Sequence, residues 1–357
     1  MSLALCILAS GSAGNAAIIR SPAGLLLIDA GIGPRTLAQR LDGTGVRVSD
    51  IGALCVTHLD SDHFSPRWST TLRRLNIPVY CHADKIGALA LCSPELAPLI
   101  RPFNAESFWP IDGLRCEPIP FAHDRHGSHG FIVDGFGYRI GYATDLGHVP
   151  SYFFDFFSDL DTIALEANYD PQMQANSARP YFLKRRITGS HGHLSNQQAL
   201  AAIRMLLDRA RRLPDHIVLL HRSQECNCPE LVRKMFGVDR RIAPRLTLAQ
   251  QHERSPWLGR LARNPCVGEQ LTLALGSSGN LNFPIEESRS TRLARWSSYA
   301  LPGSPLPRVC VQVIRVGPTI PATTWPRKGS SAGCHGAKVK VSSRRMTAIL
   351  PVGVVMA

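Results

Sequence analysis

At 357 residues, 44% of them hydrophobic, the chain has enough apolar material for one large domain with an addition, or for two ordinary domains. No apolar run approaches the roughly 18 residues needed to cross a bilayer, and no basic-then-apolar leader opens the chain; no membrane or secretory role is expected, and the cytoplasm is the expected address. The net charge of +13 does not by itself mark a nucleic-acid binder, because residues 1–240 carry 24 Lys/Arg against 23 Asp/Glu, whereas residues 241–357 carry 16 against 4.

In chain order, LALCIL (3–8) reads as a strand leading into ASGSAGN, a Gly/Ser turn that suits either a hairpin or close backbone approach to a site. Strands follow at about 16–20 and 24–28, the second ending in Asp29-Ala30-Gly31, and Pro34 opens a helix through Leu41. These elements form an opening β-meander. DIGALCV then reads as a short buried strand whose carboxyl end carries THLDSDH, residues 57–63. Four ligand types, His58, Asp60, Asp62 and His63, fall within six residues there. Carboxylates and imidazoles so crowded repel or desolvate one another unless a cation neutralises them. Alternate side chains of an extended segment share a side, so His58 and Asp60 suit one ion while Asp62 and His63, past the turn, suit a second. A polar turn capping a helix near Pro66 is the plainer alternative.

Residues 66–75 suggest a helix, 78–81 a strand and 83–91 another helix. The stretch WPIDGLRCEPIPFAHD brings a strand to His123, with His126 and His129 close by, and any of the three could point inward. HGFIVDG and YRIGYATD read as a hairpin ending on Asp145, and LDTIALEANYD as a buried strand followed by Glu166, Asn168 and Asp170, suited to orienting ligands or to a loop. Lys184, Arg185 and Arg186 form a basic cluster just before His191, His193 and Ser195. Alone they fit a solvated helix face; with the imidazoles, the hydroxyl and a helix start at Ser195, they fit phosphate binding. The stretch 195–212 is strongly helical, with Leu200, Ile203 and Leu207 on one stripe. HIVLLHRS returns as a strand ending at His221, and a helix near Pro229 closes the domain. Ten scattered cysteines lack CxxC spacing, so Cys226 and Cys228 are taken as nonligands. From about 241 Pro, Ser, Gly and Arg dominate and periodicity fades, so 1–240 is expected to be the catalytic domain and 241–357 a basic, disordered extension, or alternatively a nucleic-acid arm.

THLDSDH resembles the HxHxDH signature of the metallo-β-lactamase superfamily, with Asp60 where a second histidine is usual. LASGSAGN, LLIDAG, FAHD, ATDLG, LEANYD, GSHGHLSN and LLHRSQECNCPE, in order, are similar to its YycJ (WalJ) branch. The resemblance implies an α/β (α+β) four-layer αββα sandwich. It implies one metal held by His58, Asp60 and His123, a second by Asp62, His63 and His221, and Asp145 between them. The cofactors would be two divalent ions, zinc or manganese, Asp60 hardening the first site. Asp62 and His193 are the expected catalytic residues, and Lys184, Arg185, Arg186, His191 and Ser195 the expected substrate contacts. The implied function is a metal-dependent phosphodiesterase or exonuclease on nucleic acid, DNA favoured. The alternatives are hydrolysis of a small ester, lactone or thioester, and a noncatalytic metal-binding protein with a degraded site.

Overall fold

The computed structural model describes residues 3–260 and, beyond them, only a few strand segments of two or three residues. Contacts divide the chain into two units, Met1–Leu261 and Ala262–Ala357. In the second, the described pairings are short and antiparallel, among them Ser297–Tyr299 with Val309–Val311 and Ala348–Leu350 with Val354–Met356. Whether the extension is a disordered or nucleic-acid-binding arm concerns residues outside those described.

The first unit is built from two seven-stranded sheets. One contains β1 (Ala4–Ala9), β2 (Ala16–Ser21), β3 (Gly24–Ile28), β4 (Ile51–Cys55), β5 (Val79–His82) and β6 (Ile100–Phe103). The other contains β7 (Phe108–Ile111), β8 (Leu114–Phe121), β9 (Ser128–Gly135), β10 (Tyr138–Ala143), β11 (Thr162–Glu166), β12 (His216–Leu220) and β13 (Leu246–Leu248). The chain then returns through β14 (Leu258–Gly259) to pair with β1. Each sheet is antiparallel where hairpins build it and parallel from β3 to β6 and from β10 to β13, where helices cross over. Here the sequence-based boundary moves: the domain runs twenty residues past 240, because β13 and β14 complete the sheets. Strands of three and two residues are too short to show an alternation.

The helices are α1 (Pro34–Leu41), α2 (Ser69–Leu75) and α3 (Ile86–Cys92) in the first half, and α4 (Phe153–Phe157), α5 (Pro171–Asn176), α6 (Tyr181–Thr188), α7 (Asn196–Arg209) and α8 (Pro229–Gly237) in the second. Three apolar layers alternate with the sheets. Leu37, Trp68 and Leu72 pack helices on Leu27 and Leu54 of the first sheet. Leu5, Ile7, Ile28, Phe131, Tyr142 and Leu220 fill the space between sheets. Phe153, Phe157, Ile203 and Phe236 cover Ile132 and Leu165 of the second. That is the αββα order. Both faces of each sheet are buried, which is why β4, β11 and β12 read as unbroken apolar runs rather than alternating ones.

The consequence for function lies in strand direction. β3, β4, β8, β10, β11 and β12 all end at the same rim, and each leads directly into one of the polar residues discussed above.

Candidate metal centre

At this rim the chain turns abruptly. Asp29, Asp145 and His221, each within two residues of a strand end, have φ of 58°, 52° and 51°, and Asp124 has 42°. Non-glycine residues in this left-handed region cost of order 1 kcal/mol each and persist where surrounding contacts dictate them. Here each turn directs a polar side chain inward.

His58 and His63 follow β4. Asp29, at the end of β3, accepts from the Thr57 backbone N at 2.8 Å and from His63 Nδ1 at 2.7 Å. A carboxylate on Nδ1 leaves Nε2 of His63 as the atom facing the centre. Nε2 lies 2.8 Å from Asp145 Oδ2 and 2.9 Å from Asn15 Nδ2; the carboxylate is the stronger partner and accepts the Nε2–H when no cation is near. The 58–63 loop is pressed against the Asp29-Ala30-Gly31 turn. A Cβ on Gly31 would lie 1.8 Å from the carbonyl O of Asp62 and 2.7 Å from the N of Asn15, so only glycine permits the approach.

Two nests of donor atoms result. In the first, Asp60 Oδ2 stands 3.8 Å from His58 Nε2 and 3.9 Å from His123 Nε2, and His123 Nε2 is 4.0 Å from Asp145 Oδ1. In the second, Asp62 Oδ2 is 3.3 Å from His221 Nε2 and 3.8 Å from His63 Nε2, and Asp145 Oδ1 is 3.5 Å from His221 Nε2. Among the three inward candidates only His123 reaches the centre, its Nδ1 donating to the Gly192 carbonyl at 2.9 Å. His129 is buried elsewhere, stacked on His82. Donors around one tetrahedral ion at about 2.1 Å lie roughly 3.3–3.5 Å apart; the second nest, at 3.3–3.8 Å, is close to that spacing and the first, at 3.8–4.0 Å, is wider, and both consist of the oxygen and imidazole donors that small divalent cations take. No cysteine joins a ligand cluster among the described residues.

The electrostatics agree with that donor chemistry. Burial alone would push the Asp145 carboxyl up, but His221 and His63 hold it well below the usual carboxylate range. Burial resists charging His63, yet Asp145 and Asp29 raise its imidazole well above normal, while His58, buried beside His63, is pushed well below. Against burial, His193 is raised to about 10, first by Glu166 and then by Asp145, and His221 to about 9, first by Asp145. Buried carboxylates thus demand positive charge at this point, which protons or metal ions can supply.

Glu166, completely buried at the end of β11, accepts from Leu146 N at 3.0 Å and from His193 Nδ1 at 2.7 Å. A Cβ on Gly192 would stand 2.1 Å from the Ile187 carbonyl O, so the loop bearing His193 lies tight against α6. Over the two nests opens a cleft of about 470 Å³, floored by Asp60, Asp62, His123, Asp145, His193 and His221. Its wall carries Arg179, Leu183 and Arg186. Arg186 Nη2 and Nε donate to Asp124 at 2.6 and 3.2 Å, and Arg179 Nε donates to Glu225 at 2.9 Å.

Of the expected substrate contacts, only Arg186 lines the cleft. Lys184 Nζ donates to the Ala175 carbonyl, Arg185 lies over Tyr181, and His191 is exposed with Nδ1 beside Ser190 Oγ. Ser195 caps α7, its Oγ accepting from Gln198 N, and so spends its hydroxyl on the helix rather than on an anion. Glu166, which by sequence suits either orienting ligands or a loop, takes the orienting role on His193. The sequence carries no signal for the parts of Asn15 and Arg179, and for Asp29 only its place at a strand end in LLIDAG.

Residues 25–217, more than half of the chain, match the family described as Beta-lactamase superfamily domain. The chain is 26% identical over 239 residues to "Exodeoxyribonuclease YycJ" of Bacillus anthracis, covering 65% of this chain and 87% of that protein. It is 28% identical over 234 residues to "Exodeoxyribonuclease WalJ" of Streptococcus pneumoniae, covering 63% and 83%. Among solved structures, it is similar to the metallo-β-lactamase fold protein YhfI of Bacillus subtilis (TM-score 0.53, 14% identity, 71% of this chain and 98% of that one). A diphosphatase of the PhnP family is also similar (TM-score 0.52, 17% identity, 72% and 98%). Among the described residues no helix is long and apolar enough to cross a membrane. Matching sheets, matching family and a divalent-metal donor set at the shared rim together make this chain a hydrolase of the metallo-β-lactamase superfamily.

Proposed function

We propose that the chain is a metal-dependent phosphodiesterase that shortens nucleic acid, in the first place DNA, from an end, in the cytoplasm. The observation that carries this reading is the pair of guanidinium groups, Arg179 and Arg186, on the wall of a cleft whose floor is a cluster of carboxylates and imidazoles. An acidic floor alone would repel a phosphate chain. The names of the relatives, both exodeoxyribonucleases, point the same way.

His58, Asp60 and His123 would hold one divalent ion and Asp62, His63 and His221 a second, with Asp145 shared; zinc and manganese both suit the set. Ions held there would supply Lewis acidity that lowers the pKa of a water toward ~7 and draws charge from a phosphoryl oxygen. The protein's own part begins with binding. Arg186 keeps Asp124 on two of its five donors and has others for a phosphate; Arg179 spends one hydrogen each on Glu225, Gln174 and Ser223, which leaves two. Asp62, about a quarter exposed at the cleft floor, takes the water's proton as oxygen attacks phosphorus. The bond to the departing oxygen breaks, and His193 returns a proton to it from Nε2. His193 can do this because Glu166 fixes its Nδ1 and keeps the ring protonated.

The test is degradation of end-labelled single- and double-stranded DNA and RNA by protein loaded with manganese or zinc, beside a generic ester. Processive shortening of DNA with slow ester turnover is expected. Rapid ester hydrolysis with intact oligonucleotides would refute the reading.

A further inference from the structure

Two aromatic side chains beside the cleft are used neither by the core nor by the chemistry just described. Tyr181 and Phe182 open α6 and are 74% and 73% exposed, adjacent in sequence, in a unit whose large rings are mostly buried. Leu183, Arg186 and Ile187 of the same helix line the cleft. Phe182 lies one turn before Arg186, four residues away, and so occupies the stripe adjoining the cleft face. Tyr181 lies four residues before Arg185, whose guanidinium carbon is 5.9 Å from the Tyr181 ring centre. Along this segment, therefore, two adjacent rings, Tyr181 and Phe182, stand between Arg179 on one side and Lys184, Arg185 and Arg186 on the other.

Each half of this pattern names a chemistry. Guanidinium groups suit phosphates, and exposed ring faces suit the π-faces of bases, so the combination complements a polynucleotide with bases splayed out. A surface that packed on a second protein or a membrane would instead need a contiguous apolar patch, and here charges interrupt it after two rings. Bases inside a duplex have both faces covered and cannot stack on a side chain.

We infer that Phe182 and Tyr181 form a stacking ledge for unpaired bases of the strand whose backbone occupies the cleft. The inference rests on the phosphodiesterase reading and deepens it by naming the form of strand that enters. The ledge acts on binding, with the cleavage chemistry left to the floor of the cleft.

The experiment uses full-length metal-loaded protein and the variants Y181A/F182A and F182W. KM and kcat are measured on an end-labelled oligonucleotide, on the same oligonucleotide carrying abasic sites next to the cleaved end, and on bis(p-nitrophenyl) phosphate, a diester without bases. For Y181A/F182A, KM on the oligonucleotide is expected to rise about ten- to a hundredfold, the loss of roughly one base–aromatic stack. Turnover of the base-free diester stays unchanged, F182W stays near wild type, and wild type on the abasic strand matches the double variant on the normal one. If wild type degrades DNA and the double variant does so with unchanged KM, the ledge is refuted while the nuclease reading stands. If wild type neither binds nor degrades any oligonucleotide, both fall. If Y181A/F182A instead dissolves a dimer or loses vesicle binding without changing KM, the rings serve a different partner and the inference is wrong.

Discussion

Replacing Glu166 by Gln changes one atom and one charge, and its effect can be worked out from the hydrogen bonds. Oε2 accepts from Leu146 N at 3.0 Å and from Leu194 N at 3.4 Å, so the amide oxygen of glutamine must stay there and its NH2 must turn to His193 Nδ1. Nδ1 then accepts from that amide, which favours the neutral Nε2–H form of the ring and leaves Asp145 Oδ1, 3.2 Å from Nδ1, as the one carboxylate still supporting the cation. Glu166 is also the first cause of the raised His193 pKa of about 10. The variant should therefore lose most of its imidazolium at neutral pH, at a cost in kcat of about 10²–10³, or roughly 3–4 kcal/mol. Initial rates on end-labelled DNA would measure this, with metal content determined on the same samples and the kcat–pH profile recorded. The alkaline limb is expected to move to lower pH, since the cationic form is less supported. A kcat within threefold of wild type at equal metal content would refute the assignment of His193 as proton donor held by Glu166.

Asp62→Ala removes a carboxylate from the second nest but keeps the backbone carbonyl that accepts from Asn15 N at 2.7 Å; hydrolysis should fall by more than about 10³ with an unchanged circular dichroism spectrum. Wild-type rates in a folded D62A protein would remove the water-activation scheme. Gly31→Ala forces the Asp62 carbonyl to retreat by more than about 1 Å, so metal affinity should drop and stability fall by roughly 1–3 kcal/mol, read by metal titration and urea unfolding. A variant with wild-type affinity and stability would show that the loop is not held by this contact. His129 is buried without a partner for Nδ1, and burial, then His82 and Lys85, depress it from 6.5 to about 3. The unfolded chain thus binds the extra proton first: the contribution is complete above about pH 6.5 and is lost as pH falls toward 3, at most about 4–5 kcal/mol. His129→Phe should flatten the fall in stability between pH 7 and 4 relative to wild type; parallel curves would count against it.

Much of this molecule is legible along the chain, and the reason is local. β4, β11 and β12 are apolar runs bounded by turn residues, α7 has a long 3.6-residue period, and the 58–63 segment crowds ligands within one loop, so each announces itself without its neighbours. The short strands β13 and β14 do not, because pairing, not pattern, makes them strands. For the site, local sequence shows which residues carry suitable atoms; convergence depends on strand order. Parallel alignment of β3 with β4, and of β10 with β11 and β12, brings Asp29, Asp145, Glu166 and His221 to one rim from positions nearly two hundred residues apart. Only packing distinguished Arg186, facing the cleft, from Lys184 and Arg185 beside it, since a helix turns each successive residue by 100° and a run of like charges does not say which way it faces.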